Sequence, residues 1–160
     1  MKEIEKRILL KLLENSSKNI SQIAKELKIS RQTVSKKIND MVKTGIIRRF
    51  SIDVNREKIG LRTKAYILIR EVPDSKIREE NEDKIREMRE VSEFYYLLGS
   101  YDVVIEVAVK DEGELRKVIR ALHKMEGIEK TETLLVHGIV KEDMGDPIKR
   151  VLLNESDRFK

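Results

Sequence analysis

The sequence predicts an α+β protein: an N-terminal winged helix-turn-helix followed by a C-terminal ferredoxin-like βαββαβ domain. Apolar residues in the first 45 positions recur at helical spacing in three short blocks. The following hundred residues alternate strand-like and helix-like segments in the order strand, helix, strand, strand, helix, strand. The charge divides in the same way, because residues 1–60 hold 15 Lys and Arg against 7 Asp and Glu, whereas residues 61–160 hold 19 against 22.

These patterns predict three parts of the chain. We expect the winged helix-turn-helix at residues 1–60, with a linker strand at about 46–62, and the ferredoxin-like domain at 61–143. The tail, residues 144–160, either packs on a neighbour or remains loose. A chain of 160 residues can bury one sizeable core or two small ones.

The composition limits which bonds and binding sites the chain can form. The chain has no Cys and only two His residues, His123 and His137, so we expect neither disulfides nor a transition-metal site, and no cofactor. Charged residues follow Met1 directly, and no apolar run approaches the roughly 20 residues of a membrane span. We therefore expect a cytoplasmic protein without a signal peptide or a membrane partner.

Three short helices account for the first 45 residues. Apolar residues at helical spacing predict the first helix over residues 2–14. Ser21 is predicted to cap the second helix and Ser30 the third, and Gly45 closes the third helix. Because only three residues separate the last two helices, this arrangement is a helix-turn-helix.

The third helix carries polar chemistry on its outer face. Val34, Ile38, Met41 and Val42 are predicted to face the core. The outward residues are then Gln32, Ser35, Lys36, Asn39 and Lys43. Amide side chains suit adenine edges and Lys suits guanine, while no acidic residue between positions 30 and 39 would repel phosphate. Double-stranded DNA is the predicted partner.

After Gly45, the alternation of Phe50, Ile52 and Val54 predicts the strand of a wing. Arg48 and Arg49 at its start would contact the phosphate backbone. Our complete set of predicted DNA-contacting residues is Ser21, Arg31, Gln32, Thr33, Ser35, Lys36, Asn39, Lys43, Arg48 and Arg49. The alternative is a winged helix that binds another protein, against which the basic excess argues.

The strands of the second half are apolar on both faces. In the first strand, Ala65, Ile67 and Ile69 oppose Tyr66 and Leu68, and in the next Phe94, Tyr96 and Leu98 oppose Tyr95 and Leu97. Two helices cover only one face of a four-stranded sheet. We therefore expect a homodimer whose interface covers the second face.

In its order of motifs the chain resembles the leucine-responsive regulatory protein (Lrp/AsnC) family of transcription regulators. The resemblance spans residues 5–141 in one register and rests on residues 20–30, Thr33, Val34, Ile38, residues 45–47 and residues 99–102. One departure is Lys28, at a turn position where relatives commonly have Gly. If this position is left-handed, Lys costs about 1 kcal/mol there.

The resemblance implies an archaeal DNA-binding regulator with a RAM- or ACT-like second domain that binds an amino acid or related metabolite at subunit interfaces. Family dimers often assemble into tetramers or octamers. The effector positions carried over are Gly99, Ser100, Tyr101, Asp102 and Thr133. The alternative for residues 99–102 is an ordinary hairpin turn, in which Gly and Asp are favoured for backbone reasons.

Two further functions compete with this one. An architectural DNA protein would bind with a steep salt dependence and without regard to sequence or metabolites. A tetrapyrrole decarboxylase of related architecture would need a histidine and arginines around a large cavity. We expect no enzyme, because His123 and His137 are predicted to be structural and no nucleophile motif is present.

Overall fold

The structure is a computed structural model that describes residues 1–153. It contains two compact units, one formed by Met1–Asp53 with the described residues from Lys141 onward, and the other by Val54–Val140. Each unit has its own cluster of buried apolar residues. The predicted α+β class is confirmed. None of the helices in residues 1–153 is long and apolar enough to cross a membrane.

The first unit begins with the three predicted helices, α1 (Glu3–Glu14), α2 (Ile20–Leu27) and α3 (Arg31–Lys43). Their apolar faces meet in one core, with Ile8, Ile23, Val34 and Met41 fully buried. Helical spacing places these side chains toward the core, so burial of the shared face stabilises helices that are too short to persist alone. The helix-turn-helix prediction is therefore confirmed.

The cap predicted for α2 is wrong. Asn19, rather than Ser21, precedes the helix, and its Oδ1 accepts a hydrogen bond from the Gln22 N–H at 2.9 Å. The Gln22 side chain accepts in return from the Asn19 N–H at 3.0 Å. This reciprocal capping box satisfies two backbone donors that Ser21 would leave open. Ser21 instead lies exposed in the first helical turn.

The turn between α2 and α3 follows the prediction. Lys28 is left-handed, with φ of 56°, which is the condition under which Lys was expected to cost about 1 kcal/mol there. Ser30 caps α3, since its Oγ accepts from the Thr33 N–H at 3.1 Å. Gly45, with φ of 75°, directs the chain away from the end of α3. The Ser30 and Gly45 predictions are thus confirmed.

The segment after α3 differs from the prediction. Val42 is 45% exposed rather than buried. The linker strand predicted at residues 46–62 is also wrong, because these residues form no strand and contain a short 3₁₀ helix, Glu57–Ile59. A strand requires a neighbour to complete its hydrogen-bond ladder, and none of the described residues pairs with this segment. Phe50 and Ile52 remain exposed.

The tail contains a helix that completes the first unit. Helix α6 spans Gly145–Leu152 and packs against α1. Its last residue, Leu152, is 8% exposed, whereas its neighbour Val151 is 69% exposed. The tail was expected to pack on a neighbour or to remain loose, whereas residues 145–152 pack on α1 of the same chain. Residues 154–160 lie outside the described part of the chain.

Replacing Leu152 by Ala should destabilise the first unit by about 2–3 kcal/mol, because it removes a buried side chain and leaves a cavity. The Val151→Ala substitution on the same helix is the matched control and should change stability by less than about 0.5 kcal/mol. Thermal and denaturant unfolding of the full chain would measure both. Equal effects for the two variants would show that α6 does not contribute to the core.

The second unit contains the βαββαβ domain. Its elements are β1 (Thr63–Glu71), α4 (Ser75–Arg86), β2 (Val91–Tyr96), β3 (Val103–Val109), α5 (Glu112–Leu122) and β4 (Ile128–Leu135). The strands form one antiparallel sheet in the order β2-β3-β1-β4. Ile85 of α4 and Leu115, Val118 and Leu122 of α5 share a core with β1 and β3. Both helices thus cover the same face, as predicted.

Two strand boundaries differ from the sequence prediction. Strand β2 ends at Tyr96, so Leu98 belongs to the following turn and is fully exposed rather than part of a sheet face. The sequence pattern predicts the last strand over about residues 130–140, whereas strand β4 ends at Leu135 and leaves His137 outside the sheet. Both strands lie at the edges of the sheet, where pairing with a single neighbour sets their length.

Candidate DNA-binding and effector sites

The outer face of α3 presents the predicted polar residues together. Gln32, Lys36, Asn39 and Lys43 are exposed, and Ser35 is half-buried. Residues 32, 36, 39 and 43 recur at steps of four and three, so they line one side of the helix. Amide and ammonium groups in such a row can donate hydrogen bonds to the edges of several successive bases.

Lys37 has a different role from its neighbour Lys36. Its ammonium lies 2.8 Å from Oε1 of Glu5, which ties α3 to α1. The hydrogen bond lowers the pKa of the Glu5 carboxyl and raises the pKa of the Lys37 ammonium. Because the Lys37 and Glu5 charges largely satisfy each other, we assign Lys37 a structural role that holds α3 to α1.

The remaining predicted DNA contacts lie around the start of α3 and after its end. Arg31 places its guanidinium 3.5 Å from Oγ of Ser21, which brings these two residues together across the turn. Thr33 is engaged locally, since its hydroxyl and that of Ser30 lie 2.8 Å apart. Arg48 and Arg49 are exposed and follow directly after the buried Ile47.

In the second unit, Asp102 is held on both sides by the protein itself. Its Oδ2 accepts from the Glu71 N–H at 2.9 Å, and its Oδ1 accepts from the Arg78 guanidinium at 3.0 Å. The Glu71 hydrogen bond and the Arg78 charge lower the pKa of the Asp102 carboxyl. An effector's ammonium would therefore meet a carboxylate whose two oxygens already accept hydrogen bonds within the protein.

Tyr101 lies over the sheet face that the helices leave open. Its hydroxyl donates a hydrogen bond to the Glu132 carboxylate, and the Lys130 ammonium lies 5.3 Å from its ring centroid. Glu132 pairs with Leu68 of β1, which points to the open face. The structure therefore joins Tyr101 with Lys130 and Glu132, which lie outside the predicted effector residues although their spacing places them on one face.

Thr133 lies on the other side of the sheet. It pairs with Ile67, whose side chain is buried under the helices. Gly99 and Ser100 are exposed in the turn. Of the five predicted effector residues, four are thus contiguous in the turn, and Thr133 is separated from Tyr101 by the sheet.

A buried polar pair lies beneath this turn. Glu71 and Asn81 are 6% and 1% exposed, and the Asn81 Nδ2 donates to the Glu71 carboxylate at 3.2 Å and to the Glu126 carbonyl at 2.9 Å. The Asn81 Oδ1 is buried without a partner among the described residues. Burial raises the pKa of the Glu71 carboxyl above its ordinary value of 4.5.

Replacing Glu71 by Gln should stabilise the protein near neutral pH by about 1 kcal/mol, because the amide keeps an acceptor for Asn81 and removes a buried carboxylate charge that desolvation disfavours. The folded wild type retains the Glu71 proton to a higher pH than the unfolded chain does. Its stability therefore falls as pH rises from the unfolded pKa through the raised folded pKa.

The stability gap between Glu71→Gln and wild type should consequently narrow as pH falls toward 4.5. Urea unfolding at a series of pH values measures this gap. Glu90→Gln, at an exposed position of the same unit, serves as the control and should leave the pH profile nearly parallel to that of wild type. A destabilised Glu71→Gln variant at neutral pH would contradict the argument.

The open face of the sheet carries apolar or aromatic side chains from all four strands. Tyr66, Leu68 and Val104 are half-buried there, while Tyr95 and Leu134 remain 54% and 47% exposed. Cross-strand pairs join Leu68 to Val104, Tyr66 to Leu134 and Tyr95 to Val104, so these side chains form a continuous surface. We call this surface the open sheet face.

Family comparisons match both parts of the chain. A model described as the Lrp/AsnC ligand binding domain matches residues 64–146. Another, described as the sugar-specific transcriptional regulator TrmB, matches residues 1–68. An uncharacterised HTH-type transcriptional regulator of Pyrococcus abyssi is 34% identical over 144 residues, covering 89% of this chain and 96% of that relative. The regulator FL11 of the same organism is 30% identical, covering 92% and 96%.

Two solved structures have a fold similar to that of this chain. The structure of E. coli AsnC has a TM-score of 0.81 at 26% identity and covers 89% of this chain and 95% of that chain. A transcriptional regulator of Neisseria meningitidis, solved as an L-Met complex, has a TM-score of 0.87 at 18% identity, covering 94% and 99%. At 18% identity, the similarity to the Neisseria meningitidis regulator shows the fold alone.

A helix-turn-helix joined to a ligand-binding domain defines the chain as a DNA-binding transcription regulator. The chain belongs to the Lrp/AsnC family, which confirms the resemblance found in its sequence. Its Pyrococcus relatives support the expectation of an archaeal Lrp/AsnC regulator.

Proposed function

We propose that this protein is a sequence-specific regulator whose α3 reads the DNA major groove. The observation that carries this proposal is the exposed row of Gln32, Lys36, Asn39 and Lys43 on α3, beside the half-buried Ser35. Ser21, Arg31, Thr33, Arg48 and Arg49 would contact the phosphate backbone around this helix and fix its register. Residues 1–60 thus act as the DNA-binding domain.

The second domain, within residues 61–143, dimerises the protein through the open sheet face. An apolar surface of this kind favours burial against a second copy, and a two-fold axis would present two α3 helices to DNA. Dimers can then assemble into tetramers or octamers. The predicted partners are therefore double-stranded DNA and the protein itself.

The 99–102 turn is the proposed effector site. Its exposed backbone at Gly99 and Ser100 suits the carboxylate of a free amino acid, and Tyr101 contributes a hydroxyl and a ring beside it. The L-Met complex of the Neisseria meningitidis regulator makes amino acids the first class to test. Thr133 would act from the covered side of the sheet, as part of its support.

We propose a regulator without enzymatic activity, since the relatives are named as transcriptional regulators. His123 contributes to structure in this view, because its Nε2 lies 2.7 Å from the Thr131 hydroxyl. As a DNA-binding regulator, it would act in the cytoplasm. A porphyrin absorption band in the purified protein would instead favour the decarboxylase.

Selection of bound genomic fragments, with and without each of the twenty amino acids, tests the function. We expect enrichment of discrete, roughly palindromic sites whose half-sites lie one helical turn or a multiple apart. At least one amino acid should change the enrichment. Unselective binding with a steep salt dependence and no response to any amino acid would identify an architectural DNA protein.

A further inference from the structure

The guanidinium of Arg78 connects the 99–102 turn to the junction between β1 and α4. Its Nη2 donates to Asp102 Oδ1 at 3.0 Å and to the Glu71 carbonyl at 3.2 Å, and its Nε donates to the Val72 carbonyl at 2.9 Å. A planar guanidinium can hold several acceptors in one fixed geometry, which an ammonium cannot do. Arg78 thus joins three chain positions.

Asp102 completes the connection from the side of the turn. Besides its two side-chain bonds, its backbone N–H donates to the Ile69 carbonyl at 2.9 Å, and its carbonyl accepts from the Leu97 N–H at 2.7 Å. The last residue of the turn is therefore fixed by both backbone and side chain. Gly99 and Ser100, earlier in the same turn, remain exposed.

The junction that Arg78 contacts is itself packed against the start of β4. The Val72 N–H donates to the Gly127 carbonyl at 2.8 Å. Gly127 has φ of 74°, and a Cβ at this position would lie 2.6 Å from Ile77 and 2.7 Å from Val72. Only glycine permits this close approach without displacement of its neighbours. Arg78 consequently anchors the turn to this closely packed junction between β1 and α4.

We propose that Arg78 is a positioning residue of the effector site, and that its pair with Asp102 is a latch that holds the 99–102 turn in its binding-competent form. This inference rests on the proposed effector role of the turn. Both oxygens of Asp102 are engaged within the protein. The carboxylate therefore shapes the turn, and the ligand, a free amino acid, is contacted by the exposed backbone and Tyr101.

Hydrogen exchange of the full-length protein tests the latch without any ligand. In Arg78→Met, the amides of residues 97 and 102 should exchange about tenfold faster than in wild type, because a charge-assisted anchor is lost. Arg78→Lys should fall between the two. Arg86→Met is the matched control, since Arg86 lies on the same helix but is exposed and pairs with Glu82 and Asp83.

Unchanged exchange at residues 97 and 102 in Arg78→Met would overturn the latch. If this variant does not fold, Asp102→Asn decides the question, because it keeps the size of the side chain but weakens both of its hydrogen bonds. Faster exchange confined to the turn supports the latch, whereas exchange equal to that of wild type overturns it.

A second measurement separates positioning from simple stability. Without amino acids, Arg78→Met and wild type should bind DNA with the same affinity. The change in DNA affinity that an active amino acid causes should be at least about tenfold smaller in Arg78→Met than in wild type. An unaltered amino-acid response in Arg78→Met would overturn the positioning role. If wild type responds to no amino acid in the panel, the sensing proposal fails, and the exchange result alone decides the latch.

Discussion

Replacing Asn39 by Ala should reduce the preference for a specific DNA site over random DNA by about 1–3 kcal/mol, and Lys36→Ala should do the same. Both side chains are exposed on α3, and their three-residue spacing places them on one face. Neither contributes to the core of the first unit. The folded protein should therefore keep its stability while it loses discrimination.

The comparison with phosphate-contacting residues makes this prediction specific. Arg48→Ala or Arg49→Ala should weaken binding to all sequences alike and reduce the slope of log affinity against log salt by about one. Lys84→Ala, at an exposed position of α4, removes the same charge far along the chain and should change neither quantity. Binding to specific and scrambled duplexes at several salt concentrations would measure these effects. A uniform loss in all four α3 and arginine variants would show that α3 does not read bases.

The helices of the first unit could be predicted because each carries an apolar face at helical spacing. The cap of α2 was misplaced even though the sequence contains the information. Asn19 stands three residues before Gln22, which is the spacing of a capping box, whereas Ser21 has no such partner. Alternation alone could not show that the wing-strand prediction is wrong, since a strand also needs a neighbouring strand to complete its hydrogen-bond ladder.

The candidate effector site was only partly predictable, for a similar reason. The 99–102 turn is local in sequence, and the family resemblance marks it. Its connection to Arg78 joins residues 24 positions apart, and it depends on how α4 packs. The face occupied by Thr133 depends on the register of β4 with β1, where a shift of one residue would place its side chain on the opposite side.

Replacing Leu68 by Asp should raise the dissociation constant of the proposed dimer at least about 100-fold. Leu68 lies at the centre of the open sheet face, between Val104 of β3 and Glu132 of β4. In a dimer that buries this face, the new carboxylate would be desolvated and would also lie beside the Glu132 carboxylate. In the separate subunit it would remain accessible to water, so the helix-covered core should stay intact.

Val140→Asp is the matched control, because Val140 is fully exposed and lies beyond the end of β4. Sedimentation equilibrium would give the two dissociation constants, and circular dichroism would verify that both variants fold. A dimer also carries two α3 helices, so Leu68→Asp should weaken binding to a two-half-site duplex much more than to a single half-site. An unchanged dissociation constant would place the interface elsewhere on the second unit. An equal loss of affinity for both duplexes would show that dimerisation does not contribute to DNA recognition.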